Sequence, residues 1–315
     1  MRWSLPLSSL GTRLLGFWAV RLVIVVAALL LSVLLRDIVV GILAAVLRLG
    51  DAAPQLWLGR PRTPETMTVV GALYSVAAFL ITVGLGYGAY AWYVKRIERR
   101  PPAEIALSGA APELGIGAIV GVGIILSAVA VIGVTGGASI APTGQWLFAV
   151  TALAGAATAA CMEELLLRGV VLRILEHWVG TWIALAASAA LFGMIHLTND
   201  GATWTSTLTI ALTGGLVLGL AYIATRRLWL AVGIHFGVNA AQGAFFGLHV
   251  SGQETRGLLA TELAGPDLLT GGPFGVESSV TVLAVGLLLA LVLLRRVQRY
   301  GRVVPPAWRR FRTAL

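Results

Sequence analysis

Charge is scarce in this chain. Of its 315 residues only 12% are Asp, Glu, Lys or Arg, about half the ~25% of an average soluble domain. A soluble core of this size needs charged helix faces, and they are missing, so a soluble globular protein is excluded. Cysteine occurs once, at Cys161, which rules out an intramolecular disulfide and says nothing about compartment. There is no internal repeat, no long low-complexity linker and no HExxH motif. What fills the chain is apolar: 58% hydrophobic residues and a mean hydropathy of +0.89.

Runs of about 20 apolar residues are long enough to cross a bilayer as helix. Eight such spans are expected, at 14–35, 68–93, 114–134, 145–169, 181–197, 204–224, 229–248 and 279–294. Trp146, Trp178, Trp182, Trp204 and Trp229 fall near span ends, where indole rings favour the interface. The fold class expected is therefore an all-α polytopic membrane protein, a bundle of about eight transmembrane helices. The first span is too long for a cleavable signal, carries Arg21 and lacks a small-residue cleavage site, so it reads as a retained anchor.

Basic residues follow the second, fourth, sixth and eighth spans: Lys95 to Arg100, Arg173, Arg226 with Arg227, and seven arginines in the tail. The positive-inside rule then puts both termini in the cytoplasm, as in the inner membrane of a prokaryote. Arg48, Arg60 and Arg62 lie on the other side and disagree. This topology and attraction to anionic lipid account for the net charge of +9, so nucleic acid need not be invoked. Residues 37–49 follow Arg36 and are too short to span alone, which predicts an interfacial or re-entrant helix. Residues 249–278 form the longest loop, either a lid or a tolerated insertion. Three regions result: 1–143, a core at 144–250, and 251–315.

Polar residues inside apolar spans are costly and tend to face a cavity where they do chemistry. Three segments carry them: CMEELLLRG from Cys161, FGMIHL from Phe192, and IHFGVN from Ile234. Glu163 and Glu164 are neighbours, so on a helix they point about 100° apart and cannot do the same job. Glu164 stands four residues before Arg168, the favourable order for an ion pair. Pairing there leaves Glu163 as the carboxylate free to act as a base. His196 lies four residues after Phe192. His235, Asn239 and Gln242 are spaced to share one face, from which a His and an Asn can donate to one oxyanion. The bland readings are a solvated helix end for Glu-Glu, a packing histidine for His196, and interhelical polar contacts for His235 and Asn239.

Trp178-Val179-Gly180 reads as the turn between spans four and five. Glu163 precedes Gly180 by seventeen residues and His196 follows it by sixteen, placing both roughly 25 Å from the turn. His235 is only about 10 Å beyond Arg226-Arg227 on the same scale. The turn between spans four and five must then protrude past that between six and seven, or helices must tilt or break.

Glu163-Glu164-xxx-Arg168, Phe192-xxx-His196 and His235-xxx-Asn239, in this order on apolar helices, resemble the signature of the CPBP intramembrane glutamic endopeptidases. That family includes the type II CAAX prenyl endopeptidases and bacteriocin-processing and self-immunity proteins. The resemblance covers roughly residues 145–250 and puts the site on helices four, five and seven. It implies a metal-independent protease with no cofactor. Glu163 and His196 would hold and activate the hydrolytic water, while His235 and Asn239 would stabilise the oxyanion. Glu164 and Arg168 would support them, with Phe192 and Gln242 as candidates for substrate contact. The implied partner is a peptide or membrane-protein substrate, prenylated or not; oligomeric state is left open.

Three other readings compete. A proton-coupled transporter would use intramembrane Glu and His too, but predicts repeated halves. A scaffold or immunity protein would keep the fold without cutting. A His₂Glu zinc site from Glu163, His196 and His235 is a mechanistic variant, weakened by ligands that come from three separate spans.

Overall fold

The computed structural model describes residues 17–49, 53 and 68–312 of the chain. Among the described residues eight main helical segments, besides short helical turns and a terminal helix at Ala307–Arg312, follow one another: α1 Trp18–Val46, α2 Val69–Arg96, α3 Ala110–Val134, α4 Trp146–Val179, α5 Thr181–His196, α6 Trp204–Thr225, α7 Trp229–Asn239 and α8 Val280–Arg299. Six of them are long and apolar enough to cross a membrane. The other two are α5, a shorter apolar helix, and α7, which gains length from a wider helical stretch, Ala240–Phe246. Beside them lies one two-stranded antiparallel sheet, β1 Ala138–Pro142 paired with β2 Leu259–Leu263. The protein is an all-α polytopic membrane protein.

Helices prevail because hydrocarbon offers backbone amides no water partner, so each segment must satisfy them internally. Their ends carry the polar residues that finish this. Thr68 accepts a hydrogen bond from the Gly71 amide, Ser279 from Val282, and Thr203 with Ser206 forms a reciprocal cap on α6. Gly180, at φ +80°, breaks α4 from α5, a conformation that favours glycine.

One expectation is corrected. Residues 37–46 are not a separate interfacial or re-entrant helix but the continuation of α1, a single 29-residue helix. Arg36 does not end it, because its guanidinium pairs with Asp37 at 3.1 Å, and the two charges offset each other. Residues 14–16 of the first expected span, and Arg60 and Arg62, lie outside the described residues.

The helix ends gather into two layers. In one, Arg173 grips both carboxylate oxygens of Glu98 at 2.8 and 2.9 Å, and Arg100 bridges Glu98 and Glu104. Burial pushes the Glu98 carboxyl up, but Arg173 and Arg100 more than offset this and hold it below the usual carboxylate value. Arg226, in the turn between α6 and α7, pairs with Glu176 and also reaches the Arg302 carbonyl. Because Glu176 precedes Gly180 by four residues, the α4–α5 turn protrudes about one helical turn past the α6–α7 turn. It packs there on Val304 and Pro306 of the tail. The opposite layer holds the sheet, the α5–α6 turn and the loop 247–279.

Between the layers, α3 and α7 approach most closely through facing glycines. A Cβ on Gly117 would sit 2.6 Å from the Leu230 carbonyl oxygen, and one on Gly233 2.5 Å from that of Leu114. Gly121 and Gly237 repeat the contact one turn further. Such small-xxx-small pairs let backbones meet where lipid supplies no hydrophobic drive. They fix the height and rotation of α7, and His235 sits between its two glycines.

Candidate active site

The site is built around Glu164 and Arg168, both completely buried. Arg168 Nη1 donates to Glu164 Oε1 at 2.8 Å, and Nη2 donates to the carbonyls of Gly214 and Gly215 at 2.9 and 3.0 Å. Its guanidinium lies 4.7 Å from the centre of the Phe192 ring. These carbonyls are available because α6 widens into a π-helical stretch at Ala211–Leu216. Glycine is needed there, since a Cβ on Gly214 would lie 2.5 Å from the Phe192 ring. α4 widens likewise at Leu165–Leu172, directly after the two glutamates, and α7 at Ala240–Phe246, directly after Asn239. Such stretches recur at functional sites because they re-aim side chains.

Glu164 has a second partner. His235 Nδ1 is 3.1 Å from Glu164 Oε1, and since a carboxylate only accepts, Nδ1–H donates. That fixes the ring and turns Nε2 toward Glu163, whose Oε2 is 4.0 Å away. Glu163 is the less enclosed of the two acids, its side chain 34% exposed. His196 Nδ1 is 2.7 Å from the Phe192 carbonyl; a carbonyl also only accepts, so in the neutral ring Nε2 keeps its lone pair. Phe192 ties the two histidines together, its ring centre 4.7 Å from that of His196 and 6.0 Å from that of His235.

His196, His235, Asn239 and Phe192 line one cavity of about 60 Å³. Its remaining walls are mostly apolar, contributed by α3, α6, α7 and α8, with Ser251 and Glu277 from the 247–279 loop. Gln242 does not line it. The wider turn begins at Ala240, and the Gln242 amide instead donates to Glu277 Oε2 at 2.8 Å while its oxygen accepts the Glu277 amide. Ser251 holds the other carboxylate oxygen through its amide and hydroxyl at 2.7 and 2.6 Å. Among the described residues, no three His, Cys, Asp or Glu side chains converge in a way that could hold a metal ion.

The sequence reading did not single out Glu277, Ser251, Gly214 or the α3–α7 glycines. Gly117-xxx-Gly121 and Gly233-xxx-Gly237 in apolar helices are a signal that could have located the packing. Glu277 and Ser251 carry no local signal, being loop residues brought in by contacts 35 and 26 positions apart in sequence.

Fold and site together define a helical membrane protein with acid, base and amide groups around an apolar cavity. Residues 144–241, the stretch from α4 to α7, match the family model described as type II CAAX prenyl endopeptidase Rce1-like. No curated protein and no solved structure matches the chain.

Proposed function

We propose that the protein is an intramembrane endopeptidase that hydrolyses a peptide bond with a water activated by Glu163 and His196, without a metal or other cofactor. The observation that carries this reading is that His235, which lines one apolar cavity with His196 and Asn239, is held by Glu164 on one side and has Glu163, outside that lining, 4.0 Å from its Nε2. Glu164, neutralised by Arg168, orients His235 as a buried carboxylate orients a catalytic histidine elsewhere. An imidazolium in that position donates Nε2–H, and Asn239 one turn along donates its amide, to one developing oxyanion. In the forward step the water oxygen bonds to the carbonyl carbon and its proton passes to Glu163. Collapse of the tetrahedral intermediate breaks the C–N bond, and the proton returns to the leaving amine. Low dielectric around the cavity strengthens each of these interactions.

The catalytic unit is residues 144–250, with α3, α8 and the 247–279 loop closing its cavity. Both termini are cytoplasmic on the positive-inside distribution of Lys and Arg, in what we propose is the inner membrane of a prokaryote. The substrate is a membrane-associated polypeptide.

Purified protein is expected to contain no stoichiometric zinc and to keep full activity in strong chelator. One zinc per chain, with activity lost on stripping and restored on addition, would move the mechanism to metal-polarised water. Asn239→Ala is expected to lower kcat by roughly a hundredfold to a thousandfold, the range for losing one oxyanion donor, and to leave KM little changed. An oxyanion donor meets full charge only in the transition state, so a raised KM with intact kcat would make Asn239 a binding group instead.

A further inference from the structure

We propose that the site opens to the extracytoplasmic face, so that its substrate is a translocated, membrane-anchored polypeptide cut at an apolar segment near the outer surface, and not a cytoplasmic prenylated C-terminus. This rests on the endopeptidase reading for the word substrate; the side of opening stands on geometry and on the charge of the two layers.

The two layers of helix ends differ in charge. Among the described residues, the sheet, the α5–α6 turn and the 247–279 loop carry Asp200, Glu254, Glu262, Asp267 and Glu277 against Arg256, with Arg48 at the end of α1. The other layer carries Lys95, Arg96, Arg99 and Arg100 after α2, Arg226 and Arg227 after α6, and Arg295, Arg296, Arg299 and Arg302 at the end of α8. Basic residues clustered in short connections mark the cytoplasmic side.

The cavity belongs to the acidic layer. Ser251 and Glu277, both from its long loop, form part of the cavity wall, and His196 is the last residue of α5 before the turn in that layer. Toward the basic layer the way is blocked. His235 lies six residues into α7, about 9 Å of helix from the Trp229 end. That depth is filled by Ala221, Tyr222, Leu228 and Ala231, each at most 2% exposed, and then by the Glu98–Arg173 and Glu176–Arg226 pairs. A separate cavity of about 660 Å³, lined by Tyr222 and by both of these ion pairs, opens on that side, but a path from it to the site would still have to part Ala221, Leu228 and Ala231, each 0% exposed. A path from outside has only the loop to move, held by Glu277 against Gln242 and Ser251.

The lining matches the proposed substrate. Ile124, Ile210, Val217, Ile234, Val238 and Val282 face the cavity, so side chains flanking the scissile bond must be apolar. At about 60 Å³ the cavity holds a few waters and no peptide, so admission requires the loop to lift.

Two measurements test this. In a Cys161→Ala background, single cysteines are introduced as Glu254→Cys, Ser251→Cys and Arg299→Cys and exposed to a membrane-impermeant maleimide. Glu254→Cys is expected to label fully in intact cells, Ser251→Cys slowly in intact cells because it faces the narrow cavity, and Arg299→Cys only after permeabilisation; the reverse pattern overturns the proposal whatever the activity. Should Ser251→Cys fail to fold, Glu254→Cys against Arg299→Cys decides the face. Right-side-out and inverted vesicles are then given a pool of apolar-rich peptides bearing a charged, impermeant tag. Glu163-dependent cleavage is expected in right-side-out vesicles only. Cleavage confined to inverted vesicles overturns the proposal. Cleavage in neither overturns the endopeptidase reading and the substrate assignment, while the labelling still fixes the face.

Discussion

Glu163→Gln is expected to abolish hydrolysis while leaving the protein folded and inserted. Glutamine keeps the volume and the acceptor oxygen of the side chain and loses only the ability to take a proton. General-base catalysis contributes about a hundredfold to ten-thousandfold, so turnover should fall by at least that range. Stability should hardly change, because Glu163 is partly exposed and makes no ion pair with Lys or Arg among the described residues, whereas Glu164 beside it is fully buried against Arg168. The measurement is a comparison of membrane and released peptides from cells making wild type or variant, with thermal unfolding in detergent as the control. Wild-type turnover by the variant would remove Glu163 as the base. A transporter or scaffold predicts no peptide difference at all, since neither forms a tetrahedral intermediate.

The bundle was legible because a bilayer enforces a simple code: apolar runs of sufficient length must be helices. The exceptions share one cause, which is charge neutralised by a partner that a count of apolar residues does not reveal. The fourth span was expected to end at residue 169, yet α4 runs to Val179. Arg173 and Glu176 look like a solvated helix end, but Glu98 and Arg226 hold them inside the fold. Residues 37–46 were separated from the first span by Arg36, whose partner is the very next residue.

The candidate site divides along the same line. Glu163, Glu164, Arg168, His196, His235 and Asn239 stand out as polar residues in apolar helices, and the i,i+4 ion pair of Glu164 follows from spacing alone. That Glu164 serves two partners does not, because His235 is 71 positions away. Spacing also placed Gln242 on the face of His235, assuming an unbroken α-helix. The wider turn at Ala240–Phe246 changes that count, and Gln242 secures the loop through Glu277 instead. Helix periodicity cannot show such an insertion, which is detected only where it re-aims a side chain.

The other large effect expected is on stability, at the buried pair. Arg168→Met and Glu164→Gln should each destabilise the protein by about 3–5 kcal/mol, the usual cost of removing one partner of a buried ion pair and stranding the other charge. Arg168 also donates to Gly214 and Gly215 and stacks on Phe192, so its loss loosens the α5–α6 contact as well. Glu164→Gln keeps an acceptor for His235 Nδ1 but leaves Arg168 uncompensated at zero exposure. The double variant removes both charges together, so its loss should fall well short of the sum of the singles. Unfolding in mixed micelles measures all four proteins of the cycle. Strict additivity would show that the 2.8 Å contact carries no coupling, and that each side chain is held by its other neighbours. The cycle also separates support from chemistry. If Glu164 acts by holding His235, kcat of the glutamine variant should fall by much less than that of Glu163→Gln, and it should recover in part when Arg168 is neutralised with it.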